Sequence, residues 1–213
     1  MPGYIYLPVP TQEMLGLAEK FRNAQTAQGK EQYSILHNYE SGWRKGFTRA
    51  IGLGVLRSVS AGDKLYVMSH GSEVGSRFTG ASRGATMQAN GEWEGGALKK
   101  YSPAQLAEVI QKEGLTTAFV RLHLFICGSG LKPRQEGAKP FAQALAIALG
   151  DLGYKHIRVL GYVAFRVSPD NNQISGLMHT PGGDFYRPLN ESMVAYGPTG
   201  GQVPIPALMD AGV

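Results

Sequence analysis

Three apolar segments, separated by helical patterns, constrain the fold of this chain more than any other feature. They are Leu65–Met68, Leu122–Ile126 and Ile157–Phe165. The first has only four apolar residues, too few for a helix, and suits a strand that is buried on both faces. Strands that alternate with helices build a parallel sheet with right-handed crossovers. The sequence therefore predicts an α/β fold with a mostly parallel central sheet flanked by helices.

The helix between the first two segments has the clearest boundaries. Ser102 stands at its N-cap, Pro103 at the first helical position and a glutamine at the third, which is the pattern of a capping box. Glu113 is the last predicted residue, and Gly114 provides a stop. Between the second and third segments, apolar residues that share one face predict another helix over 140–152.

Periodicity predicts further elements outside this core. Tyr4–Leu7 is typical of a first strand, and residues 12–28 have the pattern of a helix. Apolar residues at every fourth position predict a helix over 43–59, although its glycines weaken it. A flap is predicted over 72–100, where the pair Asn90-Gly91 favours a two-residue hairpin turn.

Length and composition indicate one globular domain over residues 1–213. Turn residues after Ser168 predict a C-terminal hairpin region of short strands. No run of about twenty apolar residues is present, so we expect no membrane span. The net charge of +5 is compatible with an anionic partner but falls short of a nucleic-acid signature.

Cys127 is the single cysteine of the chain, which excludes an intrachain disulfide and a cysteine-rich zinc site. His37, His156 and His179 have no ligand partner at a typical spacing, so no metal site is predicted. The start "MPGYIYLPVP" lacks the basic residues and long apolar stretch of a secretory signal. We therefore expect a cytoplasmic protein, or one secreted by a route that needs no signal peptide.

Two reactive side chains follow the first two predicted strands directly. His70 comes after Leu65–Met68, Cys127 comes after Leu122–Ile126, and each is followed by a glycine. The carboxyl ends of neighbouring parallel strands share one edge of the sheet, where ligands bind. The sequence therefore predicts that the imidazole and the thiol face each other at this edge.

A thiol at this edge needs a neighbouring base to act as a nucleophile. The thiolate is the nucleophilic form, and at an ordinary cysteine pKa of about 8.5 only a few per cent is ionised at neutral pH. Acyl transfer also creates an oxyanion, which backbone N–H groups can bind. The N–H groups of Gly71 and of Cys127 itself are the candidates. The glycines at this edge have no Cβ, which lets a substrate approach the backbone.

The segments "YVMSHGSEVG" and "HLFICGSG", whose histidine and cysteine are 57 positions apart, resemble the caspase-like (clan CD) cysteine peptidases. Over Lys64–Val167 the pattern is most similar to the autoprocessing cysteine protease domain of large bacterial toxins. The resemblance implies a caspase-like three-layer sandwich and a thiol protease, a toxin or effector, that cleaves a peptide or protein substrate. It implies His70 as general acid or base, Cys127 as nucleophile and Gly71 as oxyanion-hole donor.

The sequence departs from the caspase pattern around the cysteine. Phe125 and Ile126 precede it where caspases have Gln-Ala, and Gly128 and Ser129 follow it. Specificity for aspartate is therefore not implied. No cofactor is required by this chemistry. The toxin domains are switched on by inositol hexakisphosphate held in a basic pocket, so the resemblance implies an inositol phosphate activator, although the sequence does not indicate its pocket.

Two alternatives to a peptidase remain at this level. The same dyad could transfer acyl groups or hydrolyse amides other than peptide bonds. The chain could also be an inert α/β module that binds an anionic ligand, with Cys127 as an ordinary core residue. Asp63 and Glu73 flank the histidine strand and are not assigned to the site. His123 lies within the second strand and is predicted to occupy one face of the sheet.

Overall fold

The computed structural model describes residues 2–37, 54–71, 79–82, 86–87, 93–94, 98–164, 166–168, 175–180 and 183–205. The helices are α1 (Gln12–Ala27), α2 (Pro103–Lys112) and α3 (Phe141–Asp151), with a 3-10 turn over Leu189–Ser192. The strands are β1 (Gly3–Tyr6), β2 (Ser34–Leu36), β3 (Lys64–Met68), β4 (Thr79–Ser82), β5 (Thr86–Met87), β6 (Trp93–Glu94), β7 (Leu98–Tyr101), β8 (Arg121–Phe125), β9 (Arg158–Tyr162), β10 (Arg166–Ser168), β11 (Ser175–Thr180), β12 (Gly183–Pro188), β13 (Met193–Tyr196) and β14 (Gln202–Val203).

A seven-stranded central sheet has the order β14-β13-β9-β8-β3-β1-β2. The five strands from β9 to β2 are parallel, whereas β13 runs antiparallel to β9 and β14. The mostly parallel sheet predicted from the sequence is confirmed. The chain adds β2 on one side of β1 and then adds β3, β8 and β9 on the other side. This reversal leaves a crevice at the carboxyl edge between β1 and β3.

Helix α1 covers one face of the central sheet. Its Phe21 is fully buried, and the Phe21 ring centroid lies 4.8 Å from those of Tyr66 on β3 and Phe125 on β8. The other α1 residues that are buried lie on the same side of the helix: Met14, Ala18, Ala24 and Gln25. Burial of this apolar face, and not helix propensity alone, is what stabilises α1 on the sheet.

The opposite face of the central sheet is covered by α2 and α3, which pack against each other. Successive side chains of a strand point to opposite faces of the sheet, so Gly161 of β9 faces away from α1 while residues 160 and 162 face toward it. A Cβ at Gly161 would lie 2.6 Å from the Cβ of Ala142 on α3. The Tyr6 hydroxyl contacts Glu113, at the C-cap of α2, from the same face. Helices therefore lie on both faces.

The predicted elements around the carboxyl edge agree with the structure. All three apolar segments form strands, although β9 ends at Tyr162, three residues before the predicted end. The capping box of α2 is confirmed in both directions: the Gln105 N–H donates to Ser102 Oγ at 3.3 Å, and the Ser102 N–H donates to Gln105 Oε1 at 2.9 Å. The helices predicted over 12–28 and 140–152 are also confirmed, each within a residue of its observed limits.

The helix predicted over 43–59 is wrong in the part that the structure describes. Residues 55–58 form turns, and Gly54 has a φ of +74°, which a right-handed helix does not tolerate. Residues 43–53 lie outside the described residues. The apolar periodicity predicted a helix here because it depends on side-chain spacing alone and ignores the positive φ that glycine can adopt.

The structure describes antiparallel strand pairs in both predicted hairpin regions. Strands β11 and β12 pair antiparallel, and β10 pairs with β11, as expected for the C-terminal region. In the flap, Met87 on β5 pairs with Trp93 on β6. The two-residue turn predicted at Asn90-Gly91 lies outside the described residues and stays a prediction. The addition of β13 and β14 to the central sheet was not predicted.

Candidate active site

The two predicted site residues follow neighbouring parallel strands, β3 and β8. Leu65 pairs with Leu122 and Met68 with Phe125, so each residue of β3 faces the residue 57 positions later. His70 and Cys127 are separated by the same 57 positions. The observed pairs end at Met68 and Phe125; the same offset, continued for two more residues, would set His70 and Cys127 opposite each other. Neighbouring strands are about 4.8 Å apart, and paired residues of a parallel ladder point to the same face.

Hydrogen bonds hold the backbone of His70 at the edge of the sheet. The N–H of the preceding residue, Ser69, donates to the Phe125 carbonyl at 3.5 Å, which extends the ladder beyond β3. The His70 carbonyl accepts a hydrogen bond from the hydroxyl of Thr79 at 2.8 Å, and Thr79 is 1% exposed. The His70 side chain, in contrast, is 46% exposed. The backbone is thus fixed while the imidazole remains open to a substrate.

A carboxylate that sequence reasoning missed contacts the imidazole. Oε2 of Glu13 lies 3.1 Å from Nε2 of His70. Glu13 belongs to the first turn of α1, which follows β1, so the pair spans the crevice between β1 and β3. A glutamate in the first helical turn is common because it offsets the helix dipole. The sequence therefore contained no signal that tied Glu13 to a histidine 57 residues later.

The chain turns sharply after Cys127. Gly128 has a φ of +61°, which is a left-handed backbone conformation that residues other than glycine rarely adopt. The Gly128 N–H donates to the Ala164 carbonyl at 3.0 Å, and the Gly130 N–H donates to the Tyr162 carbonyl at 2.8 Å. The Gly128–Gly130 turn is therefore bound along the end of β9. It holds the partly buried Cys127 between a strand and a fixed turn.

Ser129 links this turn to both β9 and α3. Its side chain is fully buried, and Oγ accepts a hydrogen bond from the Tyr162 N–H at 3.0 Å. Its carbonyl accepts one from the Ala142 N–H at 2.9 Å. Pro140, the N-cap of α3, makes no side-chain capping bond, so the Ser129 carbonyl satisfies a donor of the first turn instead. The serine that follows the predicted nucleophile thus has a structural role.

A row of aromatic rings lies beneath the site on the α1 face. Phe21 joins α1 to both strands that carry the dyad, and the Phe125 ring lies 6.3 Å from that of Tyr162. Burial raises the pKa of Tyr162 well above its usual value of 10. Its phenol therefore stays neutral at physiological pH and is not a candidate base.

Of the two acidic residues that flank β3, the structure describes only Asp63, which does not contact His70. Asp63 lies at the amino end of β3, opposite to His70, and its Oδ2 accepts a hydrogen bond from the Ser60 N–H at 2.8 Å. Glu73 lies outside the described residues. Gly71 follows His70 and is partly buried, and its role in an oxyanion hole stays a prediction.

The remaining histidines do not form a second site among the described residues. His123 is buried and its ring lies 4.7 Å from that of Tyr66, which confirms its place on one face of the sheet. Burial lowers the pKa of His37, whereas His156 is exposed. In the ranges that the structure covers, no group of three His, Cys, Asp or Glu side chains could hold a metal ion. Nor does any helix in those ranges have the length and apolar character to cross a bilayer.

Three basic residues line the opposite edge of the central sheet. Lys64, Arg121 and Arg158 are the first residues of β3, β8 and β9. Arg121 pairs with Arg158, and Lys64 stands one residue before the Leu65–Leu122 pair, so the three occupy one level of the sheet. We call this set the cation row. At about 4.8 Å per strand it spans roughly 10 Å on the α1 face.

Comparison with known proteins does not add a family to these observations. No family model matches the chain, and no curated protein matches it. The function is therefore argued from the site.

Proposed function

We propose that the chain is a cysteine peptidase in which Cys127 is the nucleophile and His70 the general acid and base. One observation carries the proposal: β3 and β8 pair in parallel with an offset of 57 residues up to the Met68–Phe125 pair, and the same offset, carried two residues further, would bring the thiol opposite the imidazole on one face. Two further observations support it. The imidazole is accessible, and hydrogen bonds hold the backbone on both sides of the dyad. Such fixed backbone is what a nucleophile and its base require.

The proposed reaction has two stages. Cys127 Sγ attacks the carbonyl carbon of a peptide bond while His70 accepts the thiol proton. The imidazolium then gives this proton to the amine, the C–N bond breaks, and a thioester remains on the enzyme. Water then loses a proton to His70 and attacks the thioester carbonyl; the C–S bond breaks, the carboxylic acid product leaves, and His70 returns the proton to the Cys127 sulfur. The N–H groups of Gly71 and Cys127 are proposed to bind the oxyanion.

The arrangement also supports a caspase-like architecture as the finer description of the fold. Helices on both faces of a mostly parallel sheet, with histidine and cysteine at adjacent strand ends, agree with that proposal. Thr79, on the first described strand of the flap, donates a hydrogen bond from its hydroxyl to the His70 carbonyl. We propose this flap as a lid over the site. No cleavage specificity is assigned.

Thiol reactivity tests the proposal directly, since Cys127 is the single cysteine of the chain and labelling has no background. We expect the protein to react with iodoacetamide at pH 6 at least tenfold faster than free cysteine, because an imidazolium neighbour favours the thiolate. His70→Ala should remove this excess. His156→Ala changes an exposed histidine elsewhere and should leave the rate unchanged.

Cleavage of a peptide library, followed by mass spectrometry, divides the enzyme alternatives. A peptidase cuts the library, and Cys127→Ala does not. A fast thiol with no cleavage would instead favour an acyl transferase or amidase. If wild type and His70→Ala both react as slowly as free cysteine, the dyad has no catalytic role.

The cation row favours a second candidate, the binding of a polyanion such as an inositol phosphate. Lys64 and Arg121 are partly exposed and Arg158 is exposed, so a ligand can reach all three. Lys64 and Arg121 also interact with other groups of the chain, and a ligand would have to compete with those groups. The row lies at the amino edge of the sheet, away from the dyad. Such a ligand would therefore be an activator or the cargo of a binding module, not the substrate.

A further inference from the structure

The carboxylate beside the proposed base points to a third member of the site. We propose that Glu13 is a positioning residue, which orients His70 and sets the ring nitrogen that faces Cys127. The inference rests on the proposed function. Its basis is the 3.1 Å contact between Glu13 Oε2 and His70 Nε2.

Glu13 is held in place by its own helix. Thr11, the N-cap of α1, accepts a hydrogen bond from the Met14 N–H at 3.1 Å, and both residues are buried. Glu13 lies between them in sequence, so its backbone has little freedom. From this backbone position, the Glu13 side chain extends to the imidazole of His70.

One aromatic ring of α1 packs against both strands of the proposed dyad. Phe21 on α1 packs against Tyr66 of β3 and Phe125 of β8 at equal centroid distances of 4.8 Å. These are the strands that end at His70 and Cys127. The helix that carries Glu13 is thereby packed onto both strands, which favours a constant position of its first turn relative to His70. A surface glutamate on a loop would not have this property.

The contact with Glu13 determines which nitrogen of the His70 ring carries the proton. A neutral imidazole has one nitrogen that donates a hydrogen bond and one that accepts. When Nε2–H donates to the carboxylate of Glu13, Nδ1 is the acceptor and can take the thiol proton of Cys127. The carboxylate also stabilises the positive charge that His70 then carries. Glu13 touches neither substrate nor the reacting atoms, so it acts only through His70.

The expected effect is moderate because the pair is open to solvent. The Glu13 and His70 side chains are 31% and 46% exposed, and exposed ion pairs contribute little through charge alone. We expect Glu13→Gln to lower the alkylation rate of Cys127 at pH 6, and the kcat of peptide cleavage, by about tenfold with KM unchanged. The pH profile of alkylation should move to higher pH, because the imidazolium that accompanies the thiolate loses its carboxylate.

The experiment compares four proteins across pH 5 to 9: wild type, Glu13→Gln, Glu13→Asp and Glu19→Gln. Glu19 is exposed on the same helix and serves as the matched control. Glu13→Asp keeps the charge with a shorter reach and should recover part of the rate. Thermal unfolding of each variant verifies that α1 remains folded, and Glu13→Asp serves as the test if Glu13→Gln is poorly folded.

The outcomes separate this inference from the function on which it rests. A slow wild-type thiol at pH 6 would refute the proposed function itself. A fast wild type with a Glu13→Gln variant of equal rate and equal pH profile would refute the role of Glu13 alone. A lower rate without a shift of the profile, or an equal loss in Glu19→Gln, would assign Glu13 a merely structural role and also overturn the inference.

Discussion

The close approach of the Gly128–Gly130 turn to β9 predicts that Gly161→Ala destabilises the protein strongly. A Cβ at residue 161 would lie 2.6 Å from the Cβ of Ala142, and 3.0 Å from both the Gly130 nitrogen and the Ser129 carbonyl carbon. Carbon atoms normally stay about 3.5 to 4.0 Å apart. Two of the three neighbours are backbone atoms, which cannot rotate away as a flexible side chain can. The new methyl group must therefore push β9 away from the turn.

The magnitude follows from the contacts that would be strained. Overpacking of this kind costs about 1 to 3 kcal/mol. The displacement also strains the Gly130–Tyr162 and Ala142–Ser129 hydrogen bonds, which measure 2.8 and 2.9 Å and contribute about 1 kcal/mol each. Replacement of glycine within a strand by alanine stabilises the folded state by about 0.5 to 1 kcal/mol, because the unfolded chain then has less conformational entropy to lose on folding. The net loss is about 2 to 4 kcal/mol, or roughly 5 to 15 °C in Tm for a chain of this size.

Chemical unfolding with urea, followed by circular dichroism, measures this loss. Gly16→Ala is the matched control, since Gly16 lies inside α1 and a Cβ there meets nothing within 4 Å. That change should stabilise the protein by about 1 kcal/mol, because alanine is the better helix former. The reasoning is refuted if Gly161→Ala unfolds within 0.5 kcal/mol of wild type, or if Gly16→Ala is the more destabilised variant.

Two further predictions concern pH and anions. Burial raises the pKa of Tyr154 from 10 to about 12. The stability that the buried neutral phenol contributes is therefore complete below pH 10 and is lost as the pH rises toward 12. This loss amounts to about 2 kcal/mol in the free energy of unfolding. Urea unfolding from pH 9 to 11.5 should show a smaller fall in Tyr154→Phe, and an identical fall in both proteins contradicts the prediction. The cation row predicts that inositol hexakisphosphate at a hundred times its Kd raises Tm by roughly 5 to 10 °C. Arg121→Gln and Arg158→Gln should remove this shift while Lys155→Gln, an exposed control, keeps it; loss of the shift in Lys155→Gln alone would exclude the row.

Most of the elements that build the site could be predicted from the sequence. The capping box at Ser102 and the apolar runs of β3 and β8 are signals that involve neighbouring residues, so they are visible in a linear pattern. The alternation of strands and helices then implied parallel pairing of β3 with β8. For this reason the pairing of the two strands that end near His70 and Cys127 could be predicted from the sequence, while the alignment and the roles of these two residues stay predictions.

The tertiary structure alone decided what surrounds that pair. Glu13 meets His70 because β1 lies beside β3, an order of strands that no local pattern encodes. The bonds from Ser129 to β9 and α3 likewise join segments that are far apart in sequence. Local hydrogen bonds and periodicity determine where an element begins and ends. The choice of its neighbours comes from the burial of whole faces, such as the α1 face around Phe21, and that burial exists only in the folded chain.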